Sequence, residues 1–81
     1  MLLEVRLFAM LREAGQADRI QVRLEPGASV SALRTAIARD FPALAPHLSA
    51  TRVAANLQFV SDDHILAEGQ EVALIPPVSG G

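Results

Sequence analysis

The first segment of the chain alternates between apolar and polar positions. In LLEVRLF, Leu3, Val5 and Leu7 are separated by charged residues. A period of two is typical of a strand with one buried face, so the sequence predicts a first strand here. The next stretch, FAMLREAG, predicts one or two helical turns that end at Gly15, because glycine suits the left-handed conformation after a helix.

The same alternation returns in DRIQVRLEPG. Ile20, Val22 and Leu24 lie on one side of this segment, and polar residues lie on the other. Pro26 and Gly27 are typical turn residues, so they predict the end of a second strand. The first two strands are therefore expected to form an antiparallel pair.

The longest helical pattern is SVSALRTAIARDFP. Its apolar residues recur at spacings of three and four, which places them on one helix face: Val30, Leu33, Ile37 and Phe41. Ser29 is a favourable N-cap residue. Pro42 disfavours helical geometry at the preceding residue, so the helix is predicted to end near residue 40 or 41.

The second half of the chain predicts short strands. TRVAANLQFV indicates one or two strands with a turn near Asn56, and DDHILAEGQ indicates a connection whose Ile65 and Leu66 complete the core. EVALIPP predicts a last strand in which Val72 and Leu74 point inward. The residues that alternate with them, Ala73 and Ile75, point outward. Pairing is expected to end at Pro76, which has no N–H to donate.

This order of elements predicts an α+β fold. One main helix most simply covers one face of a mixed sheet of four to five strands, and the opposite face is left to solvent or to a partner. We expect residues 1–76 to form the domain and residues 77–81 to form a flexible tail. The first two of the six residues PPVSGG, Pro76 and Pro77, are conformationally stiff, whereas Gly80 and Gly81 are the most flexible. A frayed terminus and a tail built to reach a partner both fit these six residues.

Composition removes several classes of function. The net charge is −2 and all seven basic residues are arginines scattered singly, which disfavours a nucleic-acid partner. The apolar residues form no run long enough for a membrane span, and the first segment lacks the features of an export signal, so we expect a cytoplasmic protein without a membrane partner. Cysteine and lysine are absent, which excludes a thiolate nucleophile or a Schiff base.

The remaining titratable residues suggest no active site. His47 and His64 lie in polar or proline-broken stretches, with no second histidine at helical spacing, so we expect surface or turn roles and no metal site. Asp62 and Asp63 precede His64, but consecutive aspartates in a polar turn usually bond nearby backbone amides. We therefore do not predict an acid/base cluster there.

Two segments carry a resemblance that covers nearly the whole chain. VRLFAMLREAG and DDHILAEGQEVALIPPVSGG resemble the small subunits of molybdopterin synthase, a family of ubiquitin-like sulfur carriers. The double proline before the diglycine is the most specific part, because a diglycine alone also ends carriers for thiamine synthesis, carriers for tRNA thiolation and protein modifiers. The resemblance implies a β-grasp (ubiquitin-like) roll.

The resemblance also implies a chemistry for the tail. A ubiquitin-activating-like adenylating enzyme would couple the carboxylate of Gly81 to AMP from ATP, and a sulfur donor would convert it to a thiocarboxylate. The carrier would then donate sulfur to a cyclic pterin precursor within a complex, expected to be a heterotetramer, with the large catalytic subunit. Pro76, Pro77, Val78, Ser79 and Gly80 would insert the terminus into the partner enzymes. The carrier would bind no cofactor stably and would have no self-contained active site.

A docking surface is predicted from the strand alternation. Phe8 and Ile75 fall on the non-core side of their strands, and Phe59 lies in a short strand with polar neighbours, so the three residues are expected to form an apolar patch for the large subunit. The alternative for Phe59 is a place in the core, since the register there is uncertain. Two other functions stay open: a carrier or modifier for another pathway, and a binding module with an inert tail.

Overall fold

The computed structural model describes residues 1–77. In chain order the elements are β1 (Leu2–Leu7), α1 (Ala9–Gly15), β2 (Arg19–Arg23), α2 (Val30–Asp40), a 3₁₀ helix (Ala45–Ala50), β3 (Arg52–Ala55), β4 (Gln58–Val60) and β5 (Val72–Ile75). The predicted tail residues Val78, Ser79, Gly80 and Gly81 lie outside the described residues.

The five strands form one mixed sheet in the order β2-β1-β5-β3-β4. The central strands β1 and β5 are parallel, and every other neighbouring pair is antiparallel. The predicted pairing of the first two strands is confirmed, with Leu3 opposite Val22. The α+β class and the β-grasp arrangement are therefore confirmed, and α1 makes the connection between β1 and β2.

The core lies between one sheet face and α2. The alternation in β1 and β2 gives strictly alternating exposed and buried residues, and Val72 and Leu74 of β5 are fully buried, as predicted. Val30, Leu33 and Ile37 of α2 are also fully buried because their spacing places them on one helix face. With the helix on one face of the sheet, the opposite face is open to solvent or a partner.

The boundaries of α2 follow the predicted signals. Ser29 caps the N-terminus, where its Oγ accepts a hydrogen bond from the backbone N–H of Ala32 at 3.2 Å. The helix ends at Asp40, and the backbone N–H of Phe41 makes the last bond, to the carbonyl of Ile37. Phe41 is partly buried and packs against the core.

The prediction that Ile65 completes the core is wrong. Ile65 is 56% exposed, whereas its neighbour Leu66 is buried at 2%. Ile65 forms an isolated antiparallel bridge with Ser29, so the chain is extended there. Successive side chains of an extended segment point in opposite directions, and only one of the two can face the core.

The role predicted for Gly15 is also wrong. Gly15 is the last residue of α1, and the left-handed residue after the helix is Gln16, with φ of 55°. A Cβ on Gly15 would lie 3.0 Å from Cδ1 of Leu7, a buried core atom. A side chain at this position would therefore require Leu7 to shift by a few tenths of an ångström, because α1 packs closely on β1.

Candidate docking surface

The open sheet face brings the three predicted interface residues together. Phe8 directly follows β1, Ile75 is the last residue of β5, and Phe59 is the middle residue of β4. Phe59 lies opposite Ala54, so the register places it on the outer face, where it is 53% exposed. The alternative of a core position for Phe59 is therefore wrong.

These residues surround one groove with a volume of about 260 Å³. Its lining consists of four large apolar side chains, two alanines and two charged residues: Phe8, Leu57, Phe59, Ile75, Ala54, Ala73, Arg6 and Glu71. Ala54 and Ala73 lie directly opposite each other on β3 and β5. Because their side chains are small, they form the floor of a depression between the larger residues.

Two arginines lie against the aromatic rings at this surface. Cζ of Arg52 is 3.7 Å from the ring centroid of Phe59, and Cζ of Arg6 is 5.3 Å from the centroid of Phe8. Both distances are within the range of cation–π attraction. The guanidinium groups therefore restrict the rings and place positive charge at the margin of an apolar groove.

Leu57 is a groove residue that the sequence did not predict. Asn56 and Leu57 form the two-residue loop between β3 and β4, with φ of 51° and 70°. A loop of this kind usually has glycine at its second position, because a left-handed conformation costs other residues about 1–2 kcal/mol. Leu57 is nevertheless 87% exposed, so core packing does not explain its presence. The sequence signal that could have identified this residue is a leucine directly after Asn56, where a tight turn usually has glycine.

The hairpin tip is fixed to the segment before β5. The backbone N–H of Asn56 donates to the carbonyl of Glu71 at 2.8 Å, and the N–H of Glu71 donates to Oδ1 of Asn56 at 3.0 Å. This reciprocal pair holds Leu57 at the groove margin. The groove is therefore preorganised at this side, which would reduce the entropy cost of binding a partner.

The last strand connects the groove to the tail. Ile75 lines the groove, and Pro76 and Pro77 follow it outside any strand. Pairing in β5 ends before the first proline, as predicted. A partner that covers the groove would therefore lie next to the point where the tail leaves the sheet.

The residues around His64 do not converge on a common site. Oδ1 of Asp62 accepts a hydrogen bond from Nε of Arg34 at 3.0 Å, while Asp63 accepts one from the hydroxyl of Ser61. The Ser61 bond is the main reason that the pKa of Asp63 is lowered. His64 lies after the turn and is half-buried, and its Nε2 has no hydrogen-bond partner among residues 1–77. Asp63 therefore stabilises the turn from within, and Asp62 links the turn to α2.

Arg34 makes a second bond that links three elements. Its Nη1 donates to the backbone carbonyl of Leu48 at 2.6 Å, so this half-buried guanidinium joins α2 to the 3₁₀ helix and to Asp62. His47 lies in the same 3₁₀ helix, half-buried, and its carbonyl accepts a hydrogen bond from Thr51.

In the described part of the chain no cluster of three potential metal ligands occurs. Over the same residues, no helix has the length and apolar character needed to cross a membrane.

Comparison with known proteins identifies close relatives of the whole chain. The molybdopterin synthase sulfur carrier subunit of Escherichia coli is 39% identical over 82 residues, which cover 99% of this chain and 100% of that protein. The crystal structure of SAMP1 from Haloferax volcanii, a small archaeal modifier protein, has a TM-score of 0.89 at 29% identity, with full coverage of both chains.

A third similarity is to a protein solved together with a partner. The structure is a complex of subunits 1 and 2 of molybdopterin-converting factor from Helicobacter pylori, with a TM-score of 0.71 at 24% identity and full coverage of both chains. At this identity the likeness shows the fold. The family model that matches residues 5–81 is that of the ThiS family. The chain therefore belongs to the ThiS family of ubiquitin-fold proteins and resembles its molybdopterin synthase sulfur carriers.

Proposed function

We propose that the protein is the sulfur-carrying small subunit of molybdopterin synthase. In this proposal the carboxylate of Gly81 accepts sulfur and delivers it to the cyclic pterin precursor in the active site of the large subunit. The observation that supports it most directly is the apolar groove beside the start of the tail. The groove provides a docking face, and the tail provides the reactive group.

The proposed chemistry starts from an unreactive carboxylate. Its oxygen attacks the α-phosphorus of ATP in the activating enzyme, which forms an acyl-adenylate and releases pyrophosphate. Hydrosulfide, or a sulfur donor of equivalent chemistry, then attacks the carbonyl carbon and displaces AMP. The product is a thiocarboxylate. Activation is required because a carboxylate is a poor electrophile until it acquires a good leaving group.

The composition fits a carrier that holds sulfur only at its terminus. The chain contains no cysteine, so no side chain offers a thiol for a persulfide. Neither of the last two residues, Gly80 and Gly81, has a Cβ near the reacting carboxyl group, which favours insertion into a narrow channel. Pro76 and Pro77 restrict the base of the tail and so reduce the entropy lost on insertion.

The partner in this proposal is the large catalytic subunit. Phe8, Phe59 and Ile75 would contact it through the groove, and Leu57 would contact it from the hairpin tip. The Helicobacter pylori relative was solved as a complex of two subunits, which supports a partner of this kind. The activating enzyme and the heterotetrameric assembly are further parts of the proposal, as is the cytoplasmic location.

Deletion of Gly81 separates carrier chemistry from docking. The shortened tail would end about 3.5 Å short of the reaction centres, and a misplacement of about 1 Å can cost about a hundredfold in rate. We expect no molybdopterin from a reconstituted mixture of activating enzyme, ATP, sulfide, large subunit and pterin precursor. Binding of the large subunit should still be detectable, because the groove is unchanged. Equal product from the full-length and shortened proteins would refute the proposal.

A second candidate is a protein modifier joined to amines of other proteins. It is supported by the similarity to SAMP1, which extends over the whole chain. Both candidates require activation with ATP, but they differ in the product. Incubation with activating enzyme, ATP and host extract would give heavier conjugates for a modifier, and a thiocarboxylate on the free protein for a carrier. No reaction in either assay would indicate an inert binding module.

A further inference from the structure

Strand β2 forms one edge of the sheet and leaves a row of backbone groups without strand partners. Its only neighbour among the described strands is β1. The N–H of Leu7 bonds the carbonyl of Asp18, and the N–H of Leu24 bonds the carbonyl of Met1. Antiparallel ladders alternate, so these bonds fix which residues of β2 face β1.

Because of this alternation, the backbone N–H and C=O groups of three β2 residues point away from β1. Ile20 and Val22 bond to β1, whereas the N–H and C=O groups of Arg19, Gln21 and Arg23 point outward from the edge. The side chains of these same three residues are exposed on the outer sheet face. A strand added at this edge would satisfy the outward groups, which is a common mode of peptide recognition.

The outer face at this edge is predominantly positive. Arg19 bonds Glu4 at 3.1 Å and lies opposite Arg6 in the sheet. Arg23 lies opposite Leu2, and within residues 1–77 it makes no ion pair. A residue directly opposite Arg23 on an added strand would lie on the same face, so a carboxylate is favoured there.

On the other face, the Arg23 end of this edge borders a groove between α2 and the segment that follows β2, residues 24–28. Its lining includes the small or apolar Leu24, Pro26, Ala28, Ala32 and Ala36, together with the polar or charged Arg23, Glu25, Thr35, Arg39 and Asp40. Alternate side chains of an added strand would point into this groove. Small and apolar lining residues favour apolar side chains from the partner.

A second copy of the chain does not fit this edge well. Antiparallel pairing of two β2 strands about Gln21 would place Arg19 of one copy opposite Arg23 of the other, twice. Like charges directly opposite each other destabilise a strand pair. The same arginines therefore disfavour self-association at the edge and favour an acidic partner.

We propose that the β2 edge binds an extended protein segment whose residues alternate between acidic and apolar side chains. The acidic residues lie beside Arg19 and Arg23, and the apolar residues enter the groove under α2. This site differs from the docking surface, because it uses the free backbone edge of β2, whereas the docking groove is lined by residues of β1, β3, β4 and β5 and of the loops beside them. It does not depend on the chemistry of Gly81.

The probe for this site is the acetylated and amidated peptide Gly-Glu-Val-Thr-Val-Glu-Gly, added to the full chain labelled with ¹⁵N. Its two glutamates match the spacing of Arg19 and Arg23 in either strand direction. We expect saturable shifts and slower hydrogen exchange at the amides of Arg19, Gln21 and Arg23. The amides of Ile20 and Val22 already bond to β1, so they serve as an internal control.

Charge variants test the recognition. Arg23→Glu should weaken binding of this peptide up to about tenfold and should improve binding of the same peptide with lysine in place of glutamate. Arg12→Glu makes the same charge change on exposed α1 and should have no effect. Equal binding of the two peptides by the unaltered protein, or no protection of the three edge amides at millimolar peptide, would overturn the proposal. Protection of those amides by increasing protein concentration alone would instead indicate a second copy and would also overturn it.

Discussion

Replacement of Phe59 by alanine tests the docking surface most sharply. Phe59 is 53% exposed, and a phenylalanine side chain buries about 150–250 Å² when fully covered, so about 100 Å² is available to a partner. At about 25 cal/mol per Å², this area corresponds to about 2.5 kcal/mol of binding free energy. The dissociation constant for the large subunit should therefore rise about 50- to 100-fold.

The fold should tolerate this change. Phe59 lies outside the core, and its ring contacts Arg52 at the surface, so the cost in unfolding free energy should stay near 1 kcal/mol. Ile65→Ala is a matched control, because Ile65 is 56% exposed and lies outside the groove. Titration calorimetry gives the dissociation constants, and urea denaturation gives the stabilities.

Two results would refute this reasoning. The first is a dissociation constant for Phe59→Ala within about twofold of the original, because burial of about 100 Å² could not then occur there. The second is an equal loss of affinity in Ile65→Ala, which would mean that exposed apolar area in general, and not the groove, controls binding. A large loss of stability in Phe59→Ala would also contradict its placement on the outer face.

Two further variants separate function from stability. Leu57→Gly should raise the free energy of unfolding by about 0.5–1 kcal/mol, because glycine tolerates a φ of 70°. The same variant should bind the large subunit more weakly. Lower stability in urea denaturation would contradict the first expectation. Arg34→Ala should lower the free energy of unfolding by about 2 kcal/mol, because the carbonyl of Leu48 and the carboxylate of Asp62 lose a charged donor. Binding of the large subunit should persist. Unchanged stability in urea denaturation would show that these bonds contribute little.

Much of the fold could be predicted because local patterns and the global fold agree. Alternation in β1, β2 and β5 identified the buried residues correctly, since one sheet face is covered by α2 and the other is open. Ser29 and Pro42 marked the ends of α2 through local chemistry, a cap at the start and a steric restriction at the end. Such signals do not depend on distant parts of the chain.

The wrong predictions concern residues whose positions depend on contacts with parts of the chain that are distant in sequence. Ile65 was assigned to the core from its hydrophobicity, but the bridge to Ser29 turns it outward. Gly15 was assigned the left-handed conformation after α1, but it is the last helical residue and lies close to Leu7. The groove itself required the register of β3, β4 and β5, which brings Leu57 and Arg52 beside Phe59 and which no local pattern specifies.

In the proposed function, sulfur is carried on the C-terminal carboxyl group of Gly81. The most direct measurement is the intact mass of the protein purified from its own host, followed by fragmentation of its C-terminal peptide. We predict a fraction that is heavier by the mass difference between sulfur and oxygen, with the sulfur located on Gly81 and absent when the activating enzyme is removed. A mass that stays unmodified when molybdopterin is being made, or a sulfur located elsewhere in the chain, would contradict it.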